Sequence, residues 1–286
     1  MTMTFILDRT SSRHGIRADI ARSWLLVSGL RPDTFDAAHD SAADQIILDI
    51  EDAVDPAFKA GARRGVVDWF LGGGSAWVRI NARSTRYWRD DVAELAGVPG
   101  LAGVMLAKTE SVIDVEDTAQ QLGGTTPVIA LIESALGIEN AVTIAQSGGV
   151  FRLAFGSGDY RRDTGASADD LAMAYPRSRL VVASRIGELP GPIDGPTVVA
   201  GYPALRQQSE HAVALGLTGK LCLRLDQLPV VNEAISPTAA DVLWARTFLE
   251  DFAASGGVVR DGSDLPRLAR AQKIQGLAHA FGISPS

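Results

Sequence analysis

The chain has 286 residues, of which 46% are hydrophobic and 21% charged, a composition typical of a globular protein that buries one large core. Its net charge of −7 argues against broad nucleic-acid binding, and its one cysteine, Cys222, excludes an internal disulfide and a cysteine-based zinc cluster. No stretch approaches the roughly 20 apolar residues of a membrane span, and the start of the chain lacks a signal-peptide pattern, so we expect a cytoplasmic protein.

Short β-type runs alternate with longer amphipathic segments along the chain. We expect strands at Ser23–Ser28, Gln45–Glu51, Ala76–Asn81, Gly103–Lys108, Pro127–Glu133, Arg152–Gly156, Gly191–Gly195 and Gly219–Arg224. We expect crossover helices at Asp33–Ala42, Ala57–Phe70, Ser111–Leu122, Gly137–Gln146, Ala168–Leu189 and Pro203–Leu215. This order predicts an α/β fold, a (β/α)8 TIM barrel.

Two further helical segments, Pro237–Ala254 and Leu265–Phe281, follow the last predicted strand. The stretch between them, Ser255–Asp264, is rich in glycine and aspartate and is typical of a loop. We therefore divide the chain into a barrel domain, residues 1–254, and a short C-terminal helical extension, residues 255–286.

Charged residues fall mostly at the ends of the predicted strands. The acids and the lysine concerned are Asp49, Glu51, Asp52, Lys108, Glu133 and Asp159. Because the carboxyl ends of barrel strands surround one mouth, these side chains would converge there as an active site. The alternative for any single acid is a helix N-cap or a solvated loop residue.

Arg79 lies between apolar neighbours inside a predicted strand, in the run Trp77-Val78-Arg79-Ile80-Asn81. A guanidinium buried in this way needs an anion. The anion is either a structural partner on the preceding strand, Asp49 or Glu51, or the carboxylate or developing oxyanion of a substrate.

Glu133 and Asp159 offer hard oxygen ligands without a histidine or thiolate beside them, which favours Mg²⁺ over zinc. The glycines around Gly156 and Ser157 would let the backbone approach a ligand closely, although a Gly-Ser-Gly sequence is more often only a tight turn.

Taken together, these motifs resemble the citrate lyase β-subunit-like and malyl-CoA lyase proteins of the HpcH/HpaI aldolase superfamily. The resemblance is carried in chain order by Arg22-Ser23, Gly29, Arg31-Pro32, Leu48-Asp49-Ile50-Glu51-Asp52-Ala53-Val54, Val78-Arg79-Ile80-Asn81, Val104-Met105-Leu106, Lys108, Leu131-Ile132-Glu133, Ala154-Phe155-Gly156-Ser157, Asp159, Ile193-Asp194-Gly195-Pro196 and Gly219-Lys220-Leu221-Cys222. Each motif is short, but the ordered set spans nearly the whole chain.

The resemblance implies a (β/α)8 barrel that binds Mg²⁺ through Glu133 and Asp159, with Arg79 on the carboxylate or carbonyl oxygen of a small 2-oxo- or hydroxy-acid. It implies a carbon–carbon lyase, with Gly156 and Ser157 contacting the substrate. Asp49, Glu51 and Asp52 would orient Arg79 or metal-bound water. An acyl-CoA or acyl-carrier thioester would be the partner substrate.

Three cations near the expected mouth, Arg22, Arg31 and Lys108, are candidates to bind the CoA phosphates; the alternative is that they are solvated surface charges. The resemblance also implies a homotrimer or homohexamer, in which the C-terminal extension packs on a neighbouring subunit. Asp261 or Asp264 would then complete the neighbour's site.

The chain departs from the family pattern at three places. Ser28-Gly29-Leu30-Arg31-Pro32 replaces the usual Pro-Gly-Asp-Arg-Pro, Ala107 replaces a proline, and Leu223-Arg224-Leu225 replaces Ile-His-Pro. Two alternative functions therefore stay open: a Mg²⁺-dependent 2-oxo-acid aldolase that does not use CoA, and a non-catalytic thioester-binding subunit of a larger complex.

Overall fold

The computed structural model describes residues 15–198 and 201–284 and contains a closed barrel of eight parallel strands. Each strand pairs with the next in chain order, and β8 pairs with β1 to close the barrel. The strands are β1 Ser23–Ser28, β2 Gln45–Asp49, β3 Ala76–Ile80, β4 Leu101–Leu106, β5 Val128–Ile132, β6 Val150–Phe155, β7 Ile193–Asp194 and β8 Gly219–Cys222. All eight strands expected from the sequence are present.

Eleven α-helices surround or follow these strands in the residues that the structure covers. They are α1 Phe35–His39, α2 Lys59–Leu71, α3 Trp88–Leu95, α4 Val112–Gln121, α5 Ala135–Ala145, α6 Ser157–Thr164, α7 Asp170–Ile186, α8 Tyr202–Leu215, α9 Leu228–Ile235, α10 Ala239–Ala254 and α11 Asp264–Ala280. Across these ranges, no helix is long and apolar enough to cross a membrane.

Three helices were not expected from the sequence, namely α3, α6 and α9. Four of the eight residues of α3 are charged, so its apolar face is short and its periodicity weak. The helix α6 begins inside the Gly-Ser-Gly sequence, which favours a turn. The tertiary structure overrides both local signals.

Aromatic rings fill the amino end of the barrel. Trp77 on β3 lies edge-on to Trp24 on β1, with ring centroids 5.4 Å apart, and stacks on Phe151 of β6 at 5.5 Å. Both tryptophans are fully buried. Gly103 on β4 has to be glycine here because a Cβ would collide with the Trp77 ring. This end of the barrel is therefore a packed core.

The chain separates into two compact units, with the boundary between Ala234 and Ile235. In the second unit, α10 and α11 pack on one another around Ala245, Phe248 and Ala271. The sequence placed this boundary 20 residues later, after Ala254, because it assigned the α10 segment to the barrel. The apolar face of α10 is buried by α11, so the two helices form one small core of their own.

Candidate active site

The acids predicted from the sequence come together at the carboxyl ends of the barrel strands in the first unit. Asp49 is the last residue of β2, and Glu51 and Asp52 follow it after Ile50. Glu133 follows β5, and Asp159 lies in the first turn of α6, just after β6. Ion pairs and hydrogen bonds through Arg79 and Lys108 connect these acids to one another.

Arg79 and Asp49 form a two-pronged ion pair between adjacent strands. The Arg79 Nε and Nη2 atoms donate to the two Asp49 carboxylate oxygens at 2.9 and 2.6 Å. Register explains the contact, because Asp49 on β2 and Arg79 on β3 are paired residues. Arg79 Nη1 lies 3.7 Å from Glu51, and the pKa of Arg79 is raised because these acids outweigh its burial. The structural partner considered for Arg79 is thus Asp49, with Glu51 close by.

Lys108 sits two residues beyond the end of β4 in a left-handed backbone conformation, with a φ of 49°. Its backbone N–H donates to Glu133 Oε1 at 2.8 Å, and its ammonium group forms a close ion pair with Glu51. The same ammonium lies 3.4 Å from Asp52 and 3.5 Å from Asp159. Although burial opposes it, this group of acids raises the pKa of Lys108.

Glu133 is a buried carboxyl group with few compensating contacts. Burial raises the pKa of Glu133 to about 7, and the nearby charges of Asp159 and Glu51 add to the increase. The hydrogen bond from the Lys108 N–H and the Lys108 charge act in the opposite direction. A carboxyl group with this pKa gains its charge near neutral pH and is stabilised by any cation that binds beside it.

Gly156 gives the Glu133 carboxylate its space. A Cβ at Gly156 would collide with the Glu133 side chain, so any larger residue would displace the carboxylate. Gly156 caps α6, whose first residue is Ser157. Ser157 in turn lies against Gly195, where a Cβ would meet the serine hydroxyl. Gly156 and Ser157, predicted to bind substrate, therefore line the same end of the barrel as Glu133.

One carboxylate oxygen of Asp159 indicates where a cation would fit. Its Oδ2 atom is buried and finds no hydrogen-bond partner among the residues that the structure covers. Lys108 Nζ at 3.5 Å is too distant to satisfy it. A divalent cation fits this position, because Mg²⁺ is often held by one or two carboxylates together with water and substrate. Within the described ranges no set of three or more histidine, cysteine or acidic side chains forms a metal site.

The three cations predicted to bind CoA phosphates have different surroundings. Arg22 precedes β1 and is therefore at the amino end of the barrel, where its Nε and Nη2 atoms both bond to Asp44 at 2.8 Å. This placement contradicts a role at the mouth. Lys108 is engaged with acids. Arg31, which follows β1, is exposed and pairs with Asp33 at 2.9 Å, so it remains a candidate.

Asp261 and Asp264 belong to the second unit. Asp264 is the first residue of α11, and its carboxylate accepts a hydrogen bond from the Arg260 N–H at 2.8 Å. Asp261 accepts hydrogen bonds from the backbone and hydroxyl of Ser263. Both contacts are local, and a contribution of either acid to a neighbouring subunit's site stays a prediction.

A buried charge network beside the site escaped the sequence analysis. Lys220 on β8 and Arg177 on α7 both bond to Asp194 of β7, and Lys220 also donates to the Gly195 carbonyl at 2.8 Å. Since Gly195 packs against Ser157, this network supports the start of α6. The available signal was a charge inside two adjacent strands that are otherwise apolar.

Residues 22–224 match the HpcH/HpaI aldolase/citrate lyase family. The chain belongs to this family. Residues 240–282, within the second compact unit, match the HpcH/HpaI aldolase C-terminal domain. These matches confirm the family resemblance read from the motifs. Similar proteins include a citrate lyase subunit beta and an L-malyl-CoA/beta-methylmalyl-CoA lyase, which confirms the predicted enzyme class.

Two relatives of this HpcH/HpaI family member match it over most of their length. The citrate lyase subunit beta-like protein of Deinococcus radiodurans is 30% identical over 275 residues, which cover 89% of this chain and 96% of that protein. A (3S)-malyl-CoA thioesterase of Cereibacter sphaeroides is 30% identical over 281 residues, covering 92% of this chain and 95% of that protein. The similarity therefore extends well beyond the short motifs.

A solved structure of the protein CitE from Mycobacterium tuberculosis, in complex with magnesium, acetoacetate and coenzyme A, is also similar. It has a TM-score of 0.77 and 29% sequence identity, covering 91% of this chain and 99% of that one. This likeness confirms the predicted barrel fold.

Proposed function

We propose that this protein is a Mg²⁺-dependent carbon–carbon lyase or synthase. It would cleave or form a 3-hydroxyacyl-CoA-type thioester from a small 2-oxo-acid and acetyl-CoA or a related acyl thioester. The observation that carries this proposal is the buried, unsatisfied Asp159 Oδ2 atom within the described site, beside the Glu133 carboxyl group. The magnesium, acetoacetate and coenzyme A bound by the similar CitE protein support the choice of ligands.

Glu133 and Asp159 would hold the metal ion. When bound, Mg²⁺ would supply a Lewis acid for the oxygens of the small acid. Gly156 leaves space for the Glu133 carboxylate, and the Lys108 N–H donates to Glu133 Oε1 at 2.8 Å. These features position Glu133 before substrate arrives, which reduces the reorganisation needed during the reaction.

Arg79 would bind the carboxylate of the acid or the carbonyl oxygen that becomes negative as the carbon–carbon bond breaks. Asp49 holds the Nε and Nη2 atoms of the guanidinium, so Asp49 orients Arg79. The Nη1 atom, 3.7 Å from Glu51, would then donate to the substrate oxygen. A fixed donor of this kind stabilises developing charge more strongly than water does.

The thioester and the assembly form a separate part of the proposal. Arg31, exposed at the end of β1, would contact a CoA phosphate after leaving Asp33. We also propose a homotrimer or homohexamer, in which the C-terminal extension packs on a neighbouring subunit and contributes Asp264.

Specific observations favour two other reactions on the same site. The similar (3S)-malyl-CoA thioesterase favours hydrolysis of the thioester. An aldolase reaction without CoA is favoured by the segment after β8, where Leu223-Arg224-Leu225 replaces the Ile-His-Pro of the family pattern. Arg224 in this segment pairs with Asp226 at 2.9 Å. The products of the three reactions differ, so one set of assays distinguishes them.

The test is turnover of acetyl-CoA with glyoxylate or oxaloacetate, and cleavage of malyl-CoA and citramalyl-CoA, with Mg²⁺ and with excess chelator. The variants are Glu133→Ala and, as a matched control, Glu116→Ala on α4, which removes an exposed carboxylate. We expect thioester turnover that requires the metal and Glu133 and is unaffected by the control substitution.

Other outcomes would redirect the proposal. Release of free CoA without a 2-oxo-acid product would indicate a thioesterase. Metal-dependent cleavage of free 2-oxo-acids alone would indicate the aldolase. No turnover of any of these substrates by the purified protein would favour the non-catalytic subunit.

A further inference from the structure

Lys108 contacts the acids of the site through two different groups. Its backbone N–H binds Glu133, and its ammonium group binds Glu51 and lies close to Asp52 and Asp159. One residue therefore binds the first proposed metal ligand, Glu133, through the main chain and lies near the second, Asp159, through the side chain.

The backbone conformation separates these two contributions. With a φ of 49°, Lys108 occupies a left-handed region that glycine adopts without strain and that other residues rarely adopt. The hydrogen bond to Glu133 depends on this backbone, not on the side chain. A glycine at this position would keep the hydrogen bond and remove the ammonium group alone.

The same acids attract the ammonium group of Lys108 and a divalent cation. Four carboxylates lie within the reach of Lys108, and their mutual repulsion is reduced by its positive charge. That charge also repels any second cation bound by Asp159, whose Oδ2 atom lies 3.5 Å from Nζ. The lysine thus stabilises the acids and opposes the metal ion that they attract.

We propose that Lys108 is a positioning residue that limits how strongly the site binds its divalent cation while it anchors Glu51 beside Arg79. This inference rests on the proposed metal site of Glu133 and Asp159. It predicts two opposed effects. Loss of the ammonium group strengthens cation binding, and it slows turnover because Glu51 loses its ion pair with Lys108.

The test compares Lys108→Gly, which removes the charge, with Lys108→Arg, which keeps it. Mn²⁺ binding to the full-length, metal-free protein is measured by electron paramagnetic resonance, without substrate. We expect Lys108→Gly to bind Mn²⁺ roughly fivefold more tightly at low salt, with a smaller difference at high salt. Lys108→Arg should stay within about twofold of the wild type.

Arg83→Gln is the matched control, because it also removes one positive charge just beyond the carboxyl end of a strand but from a half-exposed residue that pairs with Asp117. Its Mn²⁺ affinity should equal that of the wild type. In the same preparations, the kcat of Lys108→Gly should fall about tenfold. General structural damage would weaken both metal binding and turnover, so the opposed changes identify positioning.

Unchanged or weaker Mn²⁺ binding by Lys108→Gly would overturn the inference. So would a raised KM for the thioester with unchanged Mn²⁺ binding, which would return Lys108 to the role of a CoA phosphate contact. If the wild type and Glu133→Gln bind Mn²⁺ equally weakly, the proposed metal site itself fails, and this inference fails with it.

Discussion

The two ends of the barrel both bury positively charged side chains, but they surround them differently. At the amino end, Arg152 on β6 is fully buried and donates to the carbonyls of Ala18, Ala21 and Gly191 and to the Thr218 hydroxyl, at 2.7 to 3.1 Å. Burial lowers the pKa of Arg152 to about 9. The carbonyls belong to the segments that enter strands, so one side chain ties these segments together.

At the carboxyl end, the cations face carboxylates instead of carbonyls, and one of these carboxylates lacks a hydrogen-bond partner in the described residues. Arg79 and Lys108 lie among acids, Glu133 has a pKa raised to about 7, and Asp159 Oδ2 has no hydrogen-bond partner in the described part of the chain. At the amino end, each nitrogen of Arg152 has a hydrogen-bond partner and the charge supports the fold, whereas the unsatisfied Asp159 oxygen at the carboxyl end fits a ligand.

Arg79→Lys should give the largest effect at the carboxyl end. The substitution keeps a positive charge but loses the two-pronged contact with Asp49, so we expect kcat/KM to fall by about 10²- to 10³-fold with little change in thermal stability. Steady-state kinetics and thermal unfolding test this. Arg83→Lys, at a half-exposed arginine paired with Asp117, is the control and should stay near wild type. Near-normal kinetics of Arg79→Lys would make the guanidinium purely structural.

Arg152→Met, at the amino end, should lower stability and leave activity unchanged, the reverse of Arg79→Lys. It removes one donor from three carbonyls and from the Thr218 hydroxyl. The Ala21 and Gly191 carbonyls keep bonds from Trp24 and Thr218, but the Ala18 carbonyl loses its Arg152 donor, so we expect a loss of about 2 kcal/mol in the free energy of unfolding. Folded protein should retain its kcat. Urea denaturation measures the change, and Arg206→Met, at an exposed pair with Glu233, should leave the free energy of unfolding close to that of the wild type. An equally stable Arg152→Met would refute the structural role.

Glu133→Gln should change how the folding stability depends on pH. In the folded metal-free protein the pKa of Glu133 is about 7, above its ordinary value of 4.5, so the folded state holds this proton more tightly than the unfolded state does. Stability therefore falls as pH rises from about 4.5 to 7. Glutamine cannot lose a proton, so we expect the variant to gain up to about 3 kcal/mol relative to wild type between pH 5 and pH 8.

Denaturation with chelator present at both pH values measures this gain. A difference between Glu133→Gln and wild type that stays constant from pH 5 to pH 8 would mean that the folded state does not raise the pKa of Glu133.

The smallest expected effect separates two arginines that look alike in sequence. Arg22→Ala should leave the KM for a thioester unchanged, because Arg22 bonds to Asp44 at the amino end. Arg31→Ala should raise that KM about threefold, as expected for loss of one exposed phosphate contact. Initial-rate kinetics on the two variants test this, and a reversed order would restore Arg22 to the thioester site.

Much of the fold was predictable because its signals are local. Eight apolar runs of strand length, separated by amphipathic segments, are sufficient to predict a barrel, and β1 has the bounds expected from the sequence. The helices α3 and α6 were missed because a short charged segment and a Gly-Ser-Gly sequence carry the local signals of loops. Packing on the barrel stabilises them.

From the sequence alone, the strand ends are predicted to within two residues, which is enough to place Asp49, Glu133 and Asp159 at the carboxyl end. The sequence also indicated that Arg79 requires an anion. That Asp49 is the protein partner of Arg79 follows only from the tertiary structure, because strand register sets that pair. The tertiary structure likewise placed Lys108 among the acids and Arg22 at the opposite end. Such choices depend on distances between residues far apart in the chain, which local hydrophobic periodicity does not encode.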